Sequence, residues 1–433
     1  MKANKSLRLS ALLLFMSAAL CAQDNTTLEQ VLNAANTHYP LTKQRDLVEQ
    51  SKDFSLAALN RAFLPQLSIN GQATYQSEVT ELPIKINLPG LNIEGLDKDQ
   101  YKATADVNQI LFDGGNISAQ KNVARANANV EQMKIEVEMQ KMREKVRQLF
   151  LGVLMMDEQI KQTEIVASDL SAGIKKMEAA LKNGTAFRSQ LAVLQAEEIK
   201  NRQRKTELEQ TRLTLLKSLS LFTGIEFPTS IHFEKPIADP GLSTANNAVS
   251  RIELHLYDEQ EQLSLAQRKQ IGVKSLPKLS LFAQGGYGRP GLNMLDNDFS
   301  WFYIAGARLN WNLGALYSLH AERQVNAVTR STINVQRELF LLNANVTIEQ
   351  YRNDISKYNT LLKDDAQLVS LRDEIKQSAK AQLDNGVITS SDYLREVNAA
   401  DQARQLQLLH QLQLLQTQLD LTDYLSINKP SYK

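Results

Sequence analysis

Hydrophobic positions recur every second residue in four short stretches of this chain, and over long segments elsewhere they recur every three or four residues. Between 64 and 76, Leu67, Ile69, Gly71, Ala73 and Tyr75 alternate with Gln66, Ser68, Asn70, Gln72 and Thr74. A period of two predicts a strand with one apolar and one polar face. Between 276 and 288, Leu279, Leu281, Ala283, Gly285 and Tyr287 keep the same phase. Both stretches open on Leu-Pro (Leu64-Pro65, Leu276-Pro277), and proline is tolerated at a strand's first residue. A strand over 101–111 places Tyr101, Ala103, Ala105, Val107 and Leu111 on one face. Another over 301–311 does the same with Trp301, Tyr303, Ala305, Ala307, Leu309 and Trp311. About eleven alternating residues match a membrane-crossing strand, although one such run alone is better read as a half-buried strand of a soluble sandwich.

The rest has helical periodicity. Thr27-Leu-Glu-Gln30 is a capping-box signature, with a helical pattern following to about Arg61. From Ser118 to Lys182 there is no proline, and Val123, Val130 and Val137 recur at heptad spacing. Such a helix is about 100 Å long, which is coiled-coil geometry. Asn183-Gly184 predicts a left-handed cap and a turn, with a second helix over 189–222. The programme then repeats. Ser250-Arg-Ile-Glu253 reads as another capping box, and the strands at 278–288 and 301–311 are followed by a proline- and glycine-free stretch over 318–382. Asn385-Gly386 ends it, and Leu408, Leu412, Leu415 and Leu419 mark the seam of a last helix. Each half is therefore helix, strand, strand, long helix, tight turn, helix. The expected divisions are a signal peptide over 1–22, a first repeat over 23–222, an irregular linker over 223–250, a second repeat over 251–425 and a tail over 426–433.

Composition narrows the compartment. Lys2, Lys5 and Arg8 precede an apolar run from Leu9 to Leu20, the pattern of a secretory signal too short to span a bilayer. Its removal takes three positive charges from a net charge of +1, leaving −2. That balance argues against a nucleic-acid partner. Cys21 is the single cysteine and a candidate for lipidation, although Leu20 stands where a lipoprotein signal takes a small residue. The mature chain then has no free thiol for catalysis or disulfides. No later run reaches 18 apolar residues, so any membrane crossing is by β-barrel.

Four strands cannot close a barrel, because closure takes about eight. Strands with one apolar face must then pair with other copies: two copies give eight strands, three give twelve. Tyr75, Tyr101, Tyr287 and Trp301 lie towards one end of their strands, with Phe112 and Trp311 towards the other, as two interfacial girdles would require.

The duplicated plan resembles the TolC-type outer-membrane efflux protein family. The resemblance rests on Leu64-Pro65 and Leu276-Pro277 opening strands, Leu111-Phe-Asp-Gly-Gly115 closing one, and Asn-Gly turns at 183–184 and 385–386. It implies a mainly α fold with a β-barrel part: a homotrimer whose twelve strands, four per chain, form one barrel in the outer membrane of a Gram-negative bacterium, continued by a long coiled-coil helical barrel in the periplasm. It implies a passive exit duct of tripartite efflux or type I secretion, in contact with outer-membrane lipid. The implied partners are a periplasmic adaptor (membrane fusion) protein and an inner-membrane pump of RND or ABC type. No cofactor and no enzymatic activity belong to it. The hairpin tips, Asn183, Gly184, Asn385 and Gly386, become the adaptor-docking points. Asp392, six residues after Gly386, becomes part of a periplasmic gate, with Arg395 one turn beyond where the family carries an acid. The first hairpin has Gln190 at the equivalent position. The alternative for Asp392 is a helix cap.

No other constellation carries chemistry. His38, His232, His255, His320 and His410 have no metal-ligand spacing, and the Gly-Gly pairs lack the Lys-Ser/Thr of a phosphate loop. The competing reading is a secreted periplasmic coiled-coil scaffold without transport activity. It leaves Trp301, Tyr303, Leu309 and Trp311 in need of a covering layer.

Overall fold

The computed structural model describes residues 25–80, 96–237, 249–294 and 296–425. The expected signal peptide at 1–22, Cys21 and the expected tail at 426–433 lie outside the described residues. In chain order the elements are β1 (Asn25–Thr26), α1 (Leu28–His38), α2 (Leu41–Arg61), β2 (Gln66–Tyr75), β3 (Asp99–Phe112), α3 (Asn116–Lys182) and α4 (Arg188–Thr223). Then follow β4 (His232–Phe233), α5 (Ile252–Val273), β5 (Lys278–Arg289), β6 (Ser300–Asn310), α6 (Ala315–Asp384) and α7 (Ser390–Leu425). The chain packs as two compact units. One is Arg45–Lys134 with His255–Arg337, and the other is Met1–Gln44, Ile135–Leu254 and Glu338–Lys433. Each unit draws on both sequence repeats.

The first helix is shorter than its periodicity suggests. Thr27 and Gln30 form the expected capping box, with Thr27 N–H donating to Gln30 Oε1 at 3.0 Å and Gln30 N–H to Thr27 Oγ1 at 3.3 Å. The helix stops at His38, because Pro40 has no N–H to continue the ladder, and α2 restarts at Leu41. At the second repeat α5 begins at Ile252, and the Glu253 carboxylate takes Nε and Nη2 of Arg251.

In the unit built on Arg45–Lys134 and His255–Arg337, four antiparallel strands form one sheet in the order β2-β3-β5-β6. The register aligns the apolar sets: Ile69 faces Ala105, Ala105 faces Gly285, and Gly285 faces Tyr303. The row Leu67, Val107, Ala283, Ala305 runs parallel to it. A bulge between Ile110 and Phe112 shifts the phase, so Phe112 takes the position opposite Leu279 on this face. This face is bare, with Ile69 82% and Tyr303 81% exposed.

The opposite face differs between the repeats. Asp106 is the hub on β2 and β3, accepting from Asn70 Nδ2 at 2.7 Å, Thr104 Oγ1 at 3.1 Å and Gln284 Nε2. On β5 and β6 it carries aromatics seated over glycines. A Cβ on Gly286 would come within 2.6 Å of Phe302, and one on Gly306 within 3.1 Å of Phe282. Alternation alone did not separate these two halves.

Asp113 starts α3, its carboxylate accepting the N–H groups of Gly115 at 2.9 Å and Ile117 at 2.5 Å. Gly114 has φ +71° and abuts Leu276 and Pro277 so closely that a Cβ would sit 2.7 Å from Leu276 Cβ. The Asp-Gly-Gly and Leu-Pro motifs thus meet in space.

The other unit is helical, and buried cations pin it. Arg147 on α3 holds Asp420 at 2.7 Å and also Asp423, both on α7. Arg212 on α4 binds Asp157 at 2.5 Å and donates to the carbonyls of Thr229 and Ile231, each at 2.6 Å. Phe150 stacks on Phe233 at 4.4 Å between centroids.

Candidate functional site: hairpin tips and exposed sheet

The two Asn-Gly turns have the same backbone. Gly184 lies at φ +73° and Gly386 at φ +72°. In the first, Gly184 N–H donates to Leu181 O at 3.1 Å and Thr185 N–H to Ala180 O at 2.9 Å. In the second, Gly386 N–H donates to Leu383 O at 3.0 Å and Val387 N–H to Gln382 O at 2.9 Å. Both are Schellman closures, with orphan helix carbonyls satisfied by a residue that only glycine reaches without strain.

The helices leaving the turns are capped at equivalent positions by different chemistry. Gln190 Oε1 accepts the N–H of Phe187 at 3.0 Å. Asp392 Oδ2 accepts the N–H of Thr389 at 3.2 Å and its hydroxyl at 2.7 Å. The Thr389 hydroxyl in turn accepts Asp392 N–H at 3.2 Å. This capping box holds the exposed Asp392 carboxyl below its usual range, through the Thr389 hydroxyl first, then its N–H, with the charge of Arg395 assisting. Arg395 Nη2 lies 3.5 Å from Asp392 Oδ1 and its Nε 3.3 Å from Glu396. The pair forms within one chain.

Beneath the tips, Tyr393 is 2% exposed, and burial, followed by Asp169 and Asp384, pushes its hydroxyl up to about 12. Lys376 reaches Asp169 at 2.9 Å and Lys176 reaches Asp384 at 2.5 Å, cross-linking the two hairpins in both directions. At the surface the tips present Phe187 and Val387, 75% and 71% exposed. Periodicity did not single these out. Their sign in the sequence is an apolar residue three positions after the first turn's glycine and one after the second's, where solvent-facing polar residues are the rule.

In the sheet unit, the register brings Tyr75, Tyr101, Tyr287 and Trp301 to one end. Tyr287 stacks between Trp301 at 4.9 Å and Phe299 at 5.5 Å, and Arg289 lies over Tyr101 at 5.9 Å. Phe112 and Trp311 lie towards the other end, with Trp311 Nε1 donating to Ser275 O at 3.0 Å. Among the described residues no group of three or more His, Cys, Asp or Glu could hold a metal ion. No described helix is long and apolar enough to cross a membrane.

A model described as outer membrane efflux protein matches residues 48–224. Over that stretch the chain is similar to that family. Solved structures share the fold of this chain across nearly its whole length. The outer membrane protein VceC of Vibrio cholerae aligns with a TM-score of 0.67 at 12% identity, covering 92% of this chain and 95% of that one. The CmeC outer membrane channel of Campylobacter jejuni gives 0.65 at 12% identity, covering 93% and 87%. The open state of the MtrE outer membrane channel of Neisseria gonorrhoeae gives 0.65 at 13% identity, covering 92% and 88%. No curated protein matches the sequence.

Proposed function

We propose that three copies of this chain form an efflux exit duct through the outer membrane, with the helical part in the periplasm. The observation that carries it is the sheet: four strands, one bare apolar face, and β2 and β6 left as edges among the described residues. An antiparallel sheet of four cannot close, and an exposed apolar face of this extent needs lipid or protein against it. Pairing β6 of one copy with β2 of the next removes every edge. The corner motifs support the same head-to-tail order. Gly114 abuts Leu276-Pro277 within the chain, whereas Gly314 meets only Asn312 and Leu64 stays 56% exposed. The neighbour's Leu64-Pro65 is the natural mate of the Gly314 corner. On the helices, Leu47 and Phe54 of α2 and Val325, Val328 and Val335 of α6 are exposed apolar stripes flanking those same edges.

In this reading the tips around Asn183, Gly184, Asn385 and Gly386 dock a periplasmic adaptor through Phe187 and Val387, and an inner-membrane pump of RND or ABC type supplies the energy. Asp392 and Arg395 set the charge at the periplasmic constriction, where three carboxylates around one axis favour cations. Tyr75, Tyr101, Tyr287, Trp301 and Trp311 sit at the membrane interfaces.

Planar-bilayer conductance of the detergent-extracted oligomer tests this, with wild type beside Asp392→Gln. Gln190 shows that an amide caps this position, so the substitution removes charge and keeps the cap. Discrete steps with cation preference reduced in Asp392→Gln are expected. Channels indifferent to the substitution would leave Asp392 as a cap. A protein that stays dispersed without detergent and never conducts would leave the scaffold reading.

A further inference from the structure

Within the sheet unit, α3, α5 and α6 enclose a groove of ≈ 870 Å³ close to the strands. Its rim carries Arg125, Arg268, Lys269 and Arg323 against one carboxylate, Glu259, which already accepts from Asn129 Nδ2 at 3.1 Å. None of the four cations pairs with a carboxylate among the described residues. Their neighbours along the chain do: Arg330 with Glu261 at 2.6 Å, Arg337 with Asp258 at 3.1 Å and Lys274, just past α5, with Glu322 at 2.8 Å. The floor is small and apolar, from Ala126, Leu265, Ala266 and Gly272. At Gly272 an added Cβ would already touch Arg323 Nη2 at 3.4 Å.

We infer that this groove binds the phosphate headgroup of an anionic phospholipid from the periplasm-side leaflet, an inference resting on the outer-membrane reading above. Depth supports the lipid. Arg125 and Arg323 lie about 12–14 Å along their helices from Asn116 and Ala315, where the strands have just ended. Leu313, Leu316 and Tyr317 are exposed just past the last strand, Tyr317 at 91%, so the apolar belt runs into the first turn of α6. Leu316 is one heptad before Arg323 and shares its helix face. The headgroup layer is roughly 5–8 Å thick on each side of the hydrocarbon core. Long cationic side chains rising from below that belt reach it while their stems cover apolar surface. Four cations without a carboxylate partner, Arg125 also donating to Asn122 Oδ1 at 3.2 Å, give a phosphate's oxygens donors to bind, and the apolar floor gives its glycerol and upper acyl carbons a place to lie.

Native mass spectrometry of the detergent-extracted oligomer, titrated with phosphatidylglycerol or phosphatidylcholine, tests the site. Retained phosphatidylglycerol should exceed phosphatidylcholine and fall at least about tenfold in the double variant R268Q/K269Q, the scale of two lost charge-assisted contacts. It should resist millimolar inorganic phosphate. Equal retention of both lipids, or indifference to the double variant, would overturn the proposal. Full competition by inorganic phosphate would do so too, by assigning the groove to a soluble anion. Conductance is recorded on the same preparations. Failure of the duct reading then shows as absent conductance, and failure of this site as normal conductance without lipid preference. Arg323→Gln is the second variant should the first reduce the yield of oligomer.

Discussion

Asp392 and Thr389 cap one another: the threonine hydroxyl donates to the carboxylate at 2.7 Å and accepts the aspartate N–H at 3.2 Å. The residue singled out for a charge at the channel constriction is thus also part of the cap that closes the start of α7. Any substitution that removes both properties confounds them.

The cap makes a pH prediction. The Asp392 carboxyl is held below its usual 3.8, so the folded tip binds fewer protons than the unfolded one. Its contribution is complete above pH 3.8 and is lost as the pH falls through the lower folded value. Amide exchange at Asp392 and Tyr393, measured from pH 6 to pH 3, should lose protection relative to the Gln190 region, which has no titrating cap. Thr389→Ala should cost about 1 kcal/mol of local stability at neutral pH.

Gly184 and Gly386 have positive φ, and a Cβ added at either would meet nothing within 4 Å, so replacing either by Ala meets backbone strain alone. Each should cost roughly 1–2 kcal/mol, and Gly386→Asn should cost less. Gly114→Ala combines the same strain with a 2.7 Å approach to Leu276 Cβ and should cost more. Thermal melting of the three alanine variants gives the ranking.

Arg147 is 7% exposed between Asp420 and Asp423. Arg147→Ala strands two largely buried carboxylates and should lose about 3–5 kcal/mol. The half-buried pair Lys376–Asp169 and the more exposed pair Lys176–Asp384 should show couplings nearer 0.2–1 kcal/mol. Double-mutant cycles in denaturant unfolding measure all three.

Neighbouring residues on β2 should respond oppositely to the same charge. Ile69→Lys places an ammonium on the bare face and should cost roughly 2–4 kcal/mol of membrane insertion at mid-strand. Ser68→Lys sits on the other face, directly opposite Asp106, and should assemble normally. Heat-modifiable oligomer in outer-membrane fractions reports the difference.

Much of the plan was legible along the chain because it depends on local rules. Strand phase at Leu67 to Tyr75, the long helices, and the Asn-Gly closures each follow from side-chain alternation, absence of proline, or the φ that glycine permits. The same rules misplaced the end of the first helix, where one missing N–H at Pro40 outweighed a continuing apolar period. Other relationships needed the fold. Phe302 over Gly286, the bulge that turns Phe112 onto the apolar face, and Arg147 between two α7 carboxylates join residues far apart in sequence. The basic groove joins Arg125 to Arg268 and Arg323 in the same way. By itself the sequence determined the repeated elements and their order, since these are set by interactions within a few residues. The tertiary structure alone decided which charges are paired, which glycines carry a neighbour's ring, and which apolar faces remain bare. Those depend on strand register and helix packing, and no local period encodes them.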